Sequence, residues 1–240
     1  MCLPLHRRIA PGRRSSLPER NATVPPILPP ILPPILPALR RASAAALLLT
    51  AGAAAPAYAP ETAPCERHLK PAHTYHAHHH TFTTDDAGRP VEALARRLTD
   101  KSAARTGCQS TVGNWGGSGD WNGGHLIAAS FDGVGLRYNL VPMQGRQINQ
   151  GLMKRVEDGA RSCLDGDGAV AGYRVRLRYP DRDTLAPDQI TITLSAPGKL
   201  KFDLPNRALP AKEFEARQEK ITKAFQEARC TVRTVSITRR

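Results

Sequence analysis

GGHLIAASFDG, residues 123–133, sets one histidine between a pair of glycines and an apolar run. Read blandly, it is a turn entering a buried strand, with His125 filling space at the start. Read more sharply, it holds an imidazole at a strand end where bare backbone lets something bulky come close. The following sequence discriminates. HLIAASF has the length and apolar content of a short strand, RYNLVPM (residues 137–143) reads as a second, and FDGVG between them supplies turn chemistry. In QINQGLMKRVEDGARSCL, residues 147–164, Ile148, Leu152, Val156, Ala160 and Leu164 recur every four residues, with Met153 and Cys163 alongside. That is the apolar stripe of an amphipathic helix facing a core. The spacing predicts strand, turn, strand, helix, with His125 opening the first strand and Asn149 opening the helix.

Upstream, HTYHAHHHTFTTDDAGRPVEALARRL (residues 73–98) reads as two strands joined at Asp85 to Pro90, and GNWGGSGDWNGG as a flexible loop. Downstream, AVAGYRVRLRYP and QITITLSAPGKLKFDL alternate as strands with one wet face, and AKEFEARQEKITKAFQEARC closes the chain as an amphipathic helix. The expected class is α+β: a strand-turn-strand-helix core within a mixed, mainly antiparallel sheet, with a C-terminal helix.

The first 57 residues do not read as fold. VPPILPPILPPILP (residues 24–37) is too rich in proline to pack, and Arg40 and Arg41 precede a small, apolar run over residues 42–55 with Ala-x-Ala options after it. This is the form of a secretory signal, and the run is too short to span a bilayer. Cleavage is expected after Ala57, since cutting after Ala59 leaves Pro60 in the next position. The expected organisation is an extension and signal over residues 1–57, a linker over 58–72 and one domain over 73–240. The mature protein is then secreted, with no membrane association.

Export agrees with cysteine usage. Beyond Cys2, Cys65, Cys108, Cys163 and Cys230 make an even set, suited to two disulfides in an oxidising compartment. Three pairings are open; the preferred one joins Cys65 to Cys108 around a predicted hairpin and Cys163 to Cys230 at the ends of two predicted helices. No CxxC spacing points to structural zinc. The formal charge of +13 falls to +7 when the leader's seven arginines and one glutamate are removed, so the domain still favours polyanions.

The central pieces GGHLIA (residues 123–128), NLVPM (139–143) and NQGLMKRVE (149–157) resemble, in order and spacing, the DNA/RNA non-specific endonucleases of the ββα-metal, or His-Me finger, superfamily. The likeness is to the branch found in secreted nucleases and bacterial toxins. It extends to TFTTDDAGRPVEAL (residues 81–94) and to RTGCQSTVGNW, which carries Arg105 and Gln109, and covers about residues 73–204.

The resemblance implies hydrolysis of DNA and RNA phosphodiesters, with His125 as the general base, Asn139 helping to order the site, Asn149 as the single direct ligand of Mg²⁺ (Mn²⁺ as a substitute), and Glu157 holding the metal's waters. Neutral imidazole suits a base near pH 7, and an amide oxygen suits a hard cation that keeps most of its water. Eight residues of helix rotate roughly 80° past two turns, so Asn149 and Glu157 share a site more readily with Asn149 at the cap. Many family members read Asp-Arg-Gly-His where this chain has Asn122-Gly123-Gly124-His125, a substrate-facing run in which the phosphate-clamping arginine is missing. Arg105, Arg137, Arg146 and Lys154 are the candidates to replace it. The toxin-like branch adds an immunity or inhibitor protein as a partner.

Other readings compete. Taken alone, His125 is a structural histidine, Asn149 a helix cap and Glu157 a solvated helix residue; Asp120 solvates a loop, and Trp115 and Trp121 pack locally or stack a base. His73, His76, His78, His79 and His80 have the imidazoles of a Zn²⁺, Cu²⁺ or Ni²⁺ site, and on one strand His76, His78 and His80 project together. Besides the endonuclease, the sequence therefore admits a nuclease-like binding protein without efficient turnover and a histidine-rich metal-binding protein.

Overall fold

A computed structural model describes residues 59–166 and 168–230. The proline-rich stretch, the signal and the cleavage point expected within residues 1–57 lie outside the described residues. In chain order the elements are β1 (Thr74–Ala77), β2 (His80–Thr84), β3 (Pro90–Arg97), α1 (Cys108–Gly113), β4 (Trp121–His125), β5 (Leu140–Gln144), α2 (Lys154–Asp165), β6 (Ala171–Arg178), β7 (Gln189–Ser195), β8 (Lys199–Pro205) and α3 (Ala211–Glu227). A π-helical segment, Gly145–Met153, runs straight into α2.

Six strands form an antiparallel sheet in the order β1-β2-β3-β6-β7-β8, and β4 and β5 form a separate antiparallel pair. Strand alternation puts Tyr75, Phe82, Ala93, Val175, Ile192 and Phe202 in one register row across the large sheet. All are buried, in one core with Ile148, Leu152, Val156 and Ala160 of the helical stripe and with Ile221 and Phe225 of α3. The expected α+β class, antiparallel sheet and C-terminal helix are what the protein has.

Three local expectations are corrected. The leading strand is a tight hairpin, because the chain reverses at His78, whose φ is 53°, and β1 pairs with β2 through Ala77 and His80. His80 is consequently buried among core residues, and His76, His78 and His80 share no strand face. The strand bearing His125 is WNGGH rather than HLIAASF: β4 ends at His125, and Leu126, Ile127, Ala128 and Phe131 form a buried irregular turn. A run buried on all sides has no polar-apolar alternation, so apolar content alone does not distinguish strand from loop. The supposed flexible loop holds part of α1, a short 3-10 turn over Asn114–Gly116 and the start of β4.

The stretch read as a linker is fastened to the domain. Leu69 N–H donates to Gly88 O at 2.8 Å, Ala72 N–H to Asp85 O at 2.7 Å and Glu61 N–H to His76 O at 3.0 Å, while Cys65 is disulfide-bonded to Cys108. The second bridge joins Cys163 to Cys230, tying the end of α2 to the residue following α3's last turn. Both preferred pairings are thus present.

Candidate active site

The β4–β5 pair delivers His125 to the mouth of a cleft, and the helical segment after β5 forms the facing wall. Asn139 makes this possible from behind. Its Oδ1 accepts from Ile127 N–H, and its Nδ2 donates to Ile127 O and Val134 O, each at 2.9 Å. A side-chain amide thereby supplies the pairing that the irregular turn after His125 lacks. Asn139 is fully buried and does not line the cleft, so its part is to position the turn.

Two unexpected residues fix the start of the helical wall. Gln144 Oε1 accepts from the backbone N–H of Gln147 and Ile148, and Asp120 Oδ2 accepts from Arg146 N–H at 2.7 Å. The cap therefore lies at Gln144, five residues before Asn149, and Asn149 sits within the π-helical turns. A π-helix spends fewer degrees per residue than an α-helix, which reduces the angular drift between Asn149 and Glu157. Both side chains line the same cleft of about 700 Å³, with His125, Arg105, Lys154 and Arg161.

His125 is 8% exposed, and its Nε2 is buried without a hydrogen-bond partner among the described residues. Burial, and secondarily the positive charge of Arg105, lowers its pKa to about 4, so the ring is neutral at ordinary pH. An unsatisfied buried nitrogen costs about 1–3 kcal/mol unless water or a ligand meets it, and His125 lines the cleft where either can arrive. Glu157 moves the other way: burial, then the charge of Asp158, pushes its pKa up to about 7, against the lowering effect of Lys154, Arg161 and Arg105.

Asn149 donates through Nδ2 to Asn122 Oδ1 at 3.2 Å, and Gln150 Nε2 donates to the same oxygen at 3.0 Å. With its nitrogen held by Asn122, Asn149 keeps its amide oxygen for a cation. That oxygen beside a carboxylate is a hard, all-oxygen donor set, which fits Mg²⁺ or Mn²⁺ retaining much of its water and does not suit a soft metal.

Besides the expected substrate access, the glycine pair has a packing basis, and Gly123 itself lines the cleft. A Cβ on Gly123 would collide with the Gln109 carbonyl, and one on Gly113 would lie 2.9 Å from Gly123 N. Glycine faces glycine so that α1 can lie directly on β4 and form another wall of the cleft. A Cβ on Gly124 would meet Met143 instead.

Of the four cations expected to stand in for the missing arginine, Arg105 and Lys154 line the cleft. Arg137 does not. It is fully buried, donating to Glu66 O, Arg67 O and Leu140 O with its guanidinium 5.0 Å from the Trp115 ring centre, and burial lowers its pKa to about 10. Arg146 is exposed and absent from the lining. Arg161 was missed, although it lies four residues after Glu157 and seven after Lys154, on the helical face that those residues define. Lys154 and Arg161 are paired to Asp158 and Asp100, each at 2.7 Å, whereas Arg105 forms no ion pair among the described residues.

The histidine run grips the turn that follows His125. His78 Nδ1 lies 3.0 Å from Asp132 Oδ1, and His80 Nε2 lies 3.0 Å from Phe131 O. Burial is the main cause lowering the His80 pKa. Among the described residues no three His, Cys, Asp or Glu side chains are placed to hold a metal ion, so the metal-site alternative for this run gains no support there.

A family model described as DNA/RNA non-specific endonuclease matches residues 71–197. Among solved structures, NucA from Streptococcus agalactiae with magnesium bound is 21% identical with a TM-score of 0.44, and the match covers 57% of this chain and 72% of that one. The same nuclease with no metal bound is 22% identical with a TM-score of 0.42 over the same shares. The curated proteins contain no match.

Proposed function

The chain belongs to the DNA/RNA non-specific endonuclease family and is a nuclease, and from that premise we propose that it is a secreted, Mg²⁺-dependent enzyme cutting DNA and RNA with His125 as general base. The observation that carries this reading is the neutral, unpartnered imidazole in one cleft with Asn149 and Glu157.

In this reading His125 takes the proton of a water attacking phosphorus in line with the leaving oxygen. Its low pKa keeps the ring neutral, and an arriving phosphate, being an anion, raises its basicity where it is needed. Arg105, unpaired on the cleft wall, clamps the phosphate in place of the missing motif arginine. Asn149, oriented by Asn122, would hold Mg²⁺ through its amide oxygen, and Glu157 would help to hold the ion from the same cleft wall. When bound, the cation neutralises charge building on the phosphate oxygens. Asn139 and the turn held by His78 and His80 keep His125 in place.

Plasmid DNA and RNA digestion tests this. EDTA is expected to abolish cutting, Mg²⁺ or Mn²⁺ to restore it, and Asn149→Ala to remove most activity while leaving the circular-dichroism spectrum unchanged. Undiminished cleavage in excess EDTA overturns the metal role. Retention of nucleic acid without cleavage under all metal conditions identifies a binding protein instead.

A further inference from the structure

A second groove, of about 460 Å³, lies between α2 and α3. It shares Gln150, Lys154 and Asp158 with the catalytic cleft. These residues recur every fourth position, so they form one ridge along the helical segment with the cleft on one flank and the groove on the other. The two hollows are adjacent stations on a single surface.

The groove offers polar donors over an apolar floor. Gln218, Thr222 and Gln226 of α3 line it, with Phe225 beneath. Gly151 and Gly159 allow the close approach of the two helices: a Cβ on Gly159 would collide with the Phe225 ring, and one on Gly151 would lie 2.9 Å from Phe214. The charge that matters is Arg155. Its Nη1 donates to Thr222 Oγ1 at 3.0 Å, its Nε is buried without a hydrogen-bond partner, and it forms no ion pair among the described residues. Asp158, the one acidic residue lining the groove, is occupied by Lys154 at 2.7 Å. A guanidinium that lines the groove without an ion pair, among amide and hydroxyl side chains, suits an oxyanion such as a backbone phosphate rather than an apolar ligand.

We propose that this groove is a second phosphate subsite for the substrate strand, in which Arg155 holds a backbone phosphate of a chain that crosses the ridge from the catalytic cleft. The proposal rests on the nuclease reading of that cleft. A helix with its side chains is about 10–12 Å across, so the phosphate at Arg155 lies roughly two or three nucleotides from the scissile one. Beyond the groove, Glu215 and Glu219 share a shallow hollow with Arg155 and Gln218. Their charges repel a continuing strand and end the track there.

The test is fluorescence anisotropy with labelled single-stranded oligodeoxynucleotides of two to ten residues, on the full protein carrying His125→Ala so that nothing is cut. Adding Arg155→Ala is expected to weaken binding of the longer strands about tenfold, to leave the dinucleotide within about twofold, and to reduce the slope of log affinity against log salt by about 0.7, the loss of one phosphate contact on a single strand. Arg155 also ties α2 to α3, so Gln226→Glu, at an exposed position, serves as the second variant and is expected to act in the same direction. Affinity and salt slope unchanged in both variants overturn the subsite. Cleavage by the otherwise native protein is followed in parallel: absence of cutting with the anisotropy pattern intact defeats the nuclease mechanism and leaves the subsite standing, whereas normal cutting with a flat pattern defeats the subsite alone.

Discussion

On the proposed mechanism, the ring of His125 carries both a catalytic and an energetic consequence. His125→Ala is expected to lower kcat by about 10²- to 10⁴-fold, the usual contribution of a general base, with nucleic-acid affinity retained. Because the folded pKa is about 4, kcat/KM should rise with a midpoint near pH 4 and not near the ordinary imidazole value. The same depression makes folding pH-dependent. The unfolded ring takes a proton below about pH 6.5 while the folded ring refuses it, so this stability is fully present above pH 6.5 and is lost as pH falls through 4. A drop from 6.5 to about 4 corresponds to about 3 kcal/mol. Urea titrations of both proteins at pH 7 and pH 4 isolate it from the opposite behaviour of Glu157; equal losses in the two would remove the basis for the assignment. His125, Asn149 and Glu157, each structural when read alone, were legible as a set lining one cleft because the resemblance to the family's ordered motifs marked them together. Arg137 and Arg146 were not, since a sequence shows that an arginine is present and not whether its guanidinium is spent on backbone carbonyls.

The elements tell a similar story about packing. The helix over residues 147–164 was readable from its four-residue stripe, yet its π-helical entry was not, because the capping groups come from Gln144 and Asp120, both outside the periodic segment. The strand bearing the histidine was misplaced for the converse reason: Trp121–His125 contains two glycines and looks like loop, while the buried turn after it looks like strand. The glycines make a prediction that separates packing from access. Gly123→Ala drives a methyl group into the backbone of α1, which has little room to yield, whereas Gly124→Ala meets the flexible Met143 side chain. Thermal unfolding should show Gly123→Ala destabilised by about 1–3 kcal/mol and Gly124→Ala by less. A raised KM at unchanged stability in both would return the glycines to substrate access.

For the molecule as a whole, the sequence conveyed the α+β class, but the separation of β4 and β5 from the large sheet and the strapping of residues 61–72 depend on contacts distant in the chain. The two bridges close 43- and 67-residue separations, each a constraint on the unfolded chain of about 4 kcal/mol. Protein recovered from culture medium is expected to begin at Tyr58 and to contain no free thiol, and mass spectrometry with thiol labelling checks both. Reduction should abolish nuclease activity at temperatures where the large sheet remains folded, because α1 is tethered by Cys65–Cys108 and also walls the cleft. Activity that survives reduction would show that wall to be held by packing alone. On the export reading, that tether gives the enzyme a built-in order of assembly. On that reading the bridge would close, and fasten the α1 wall of the cleft, only once the chain has left the reducing interior.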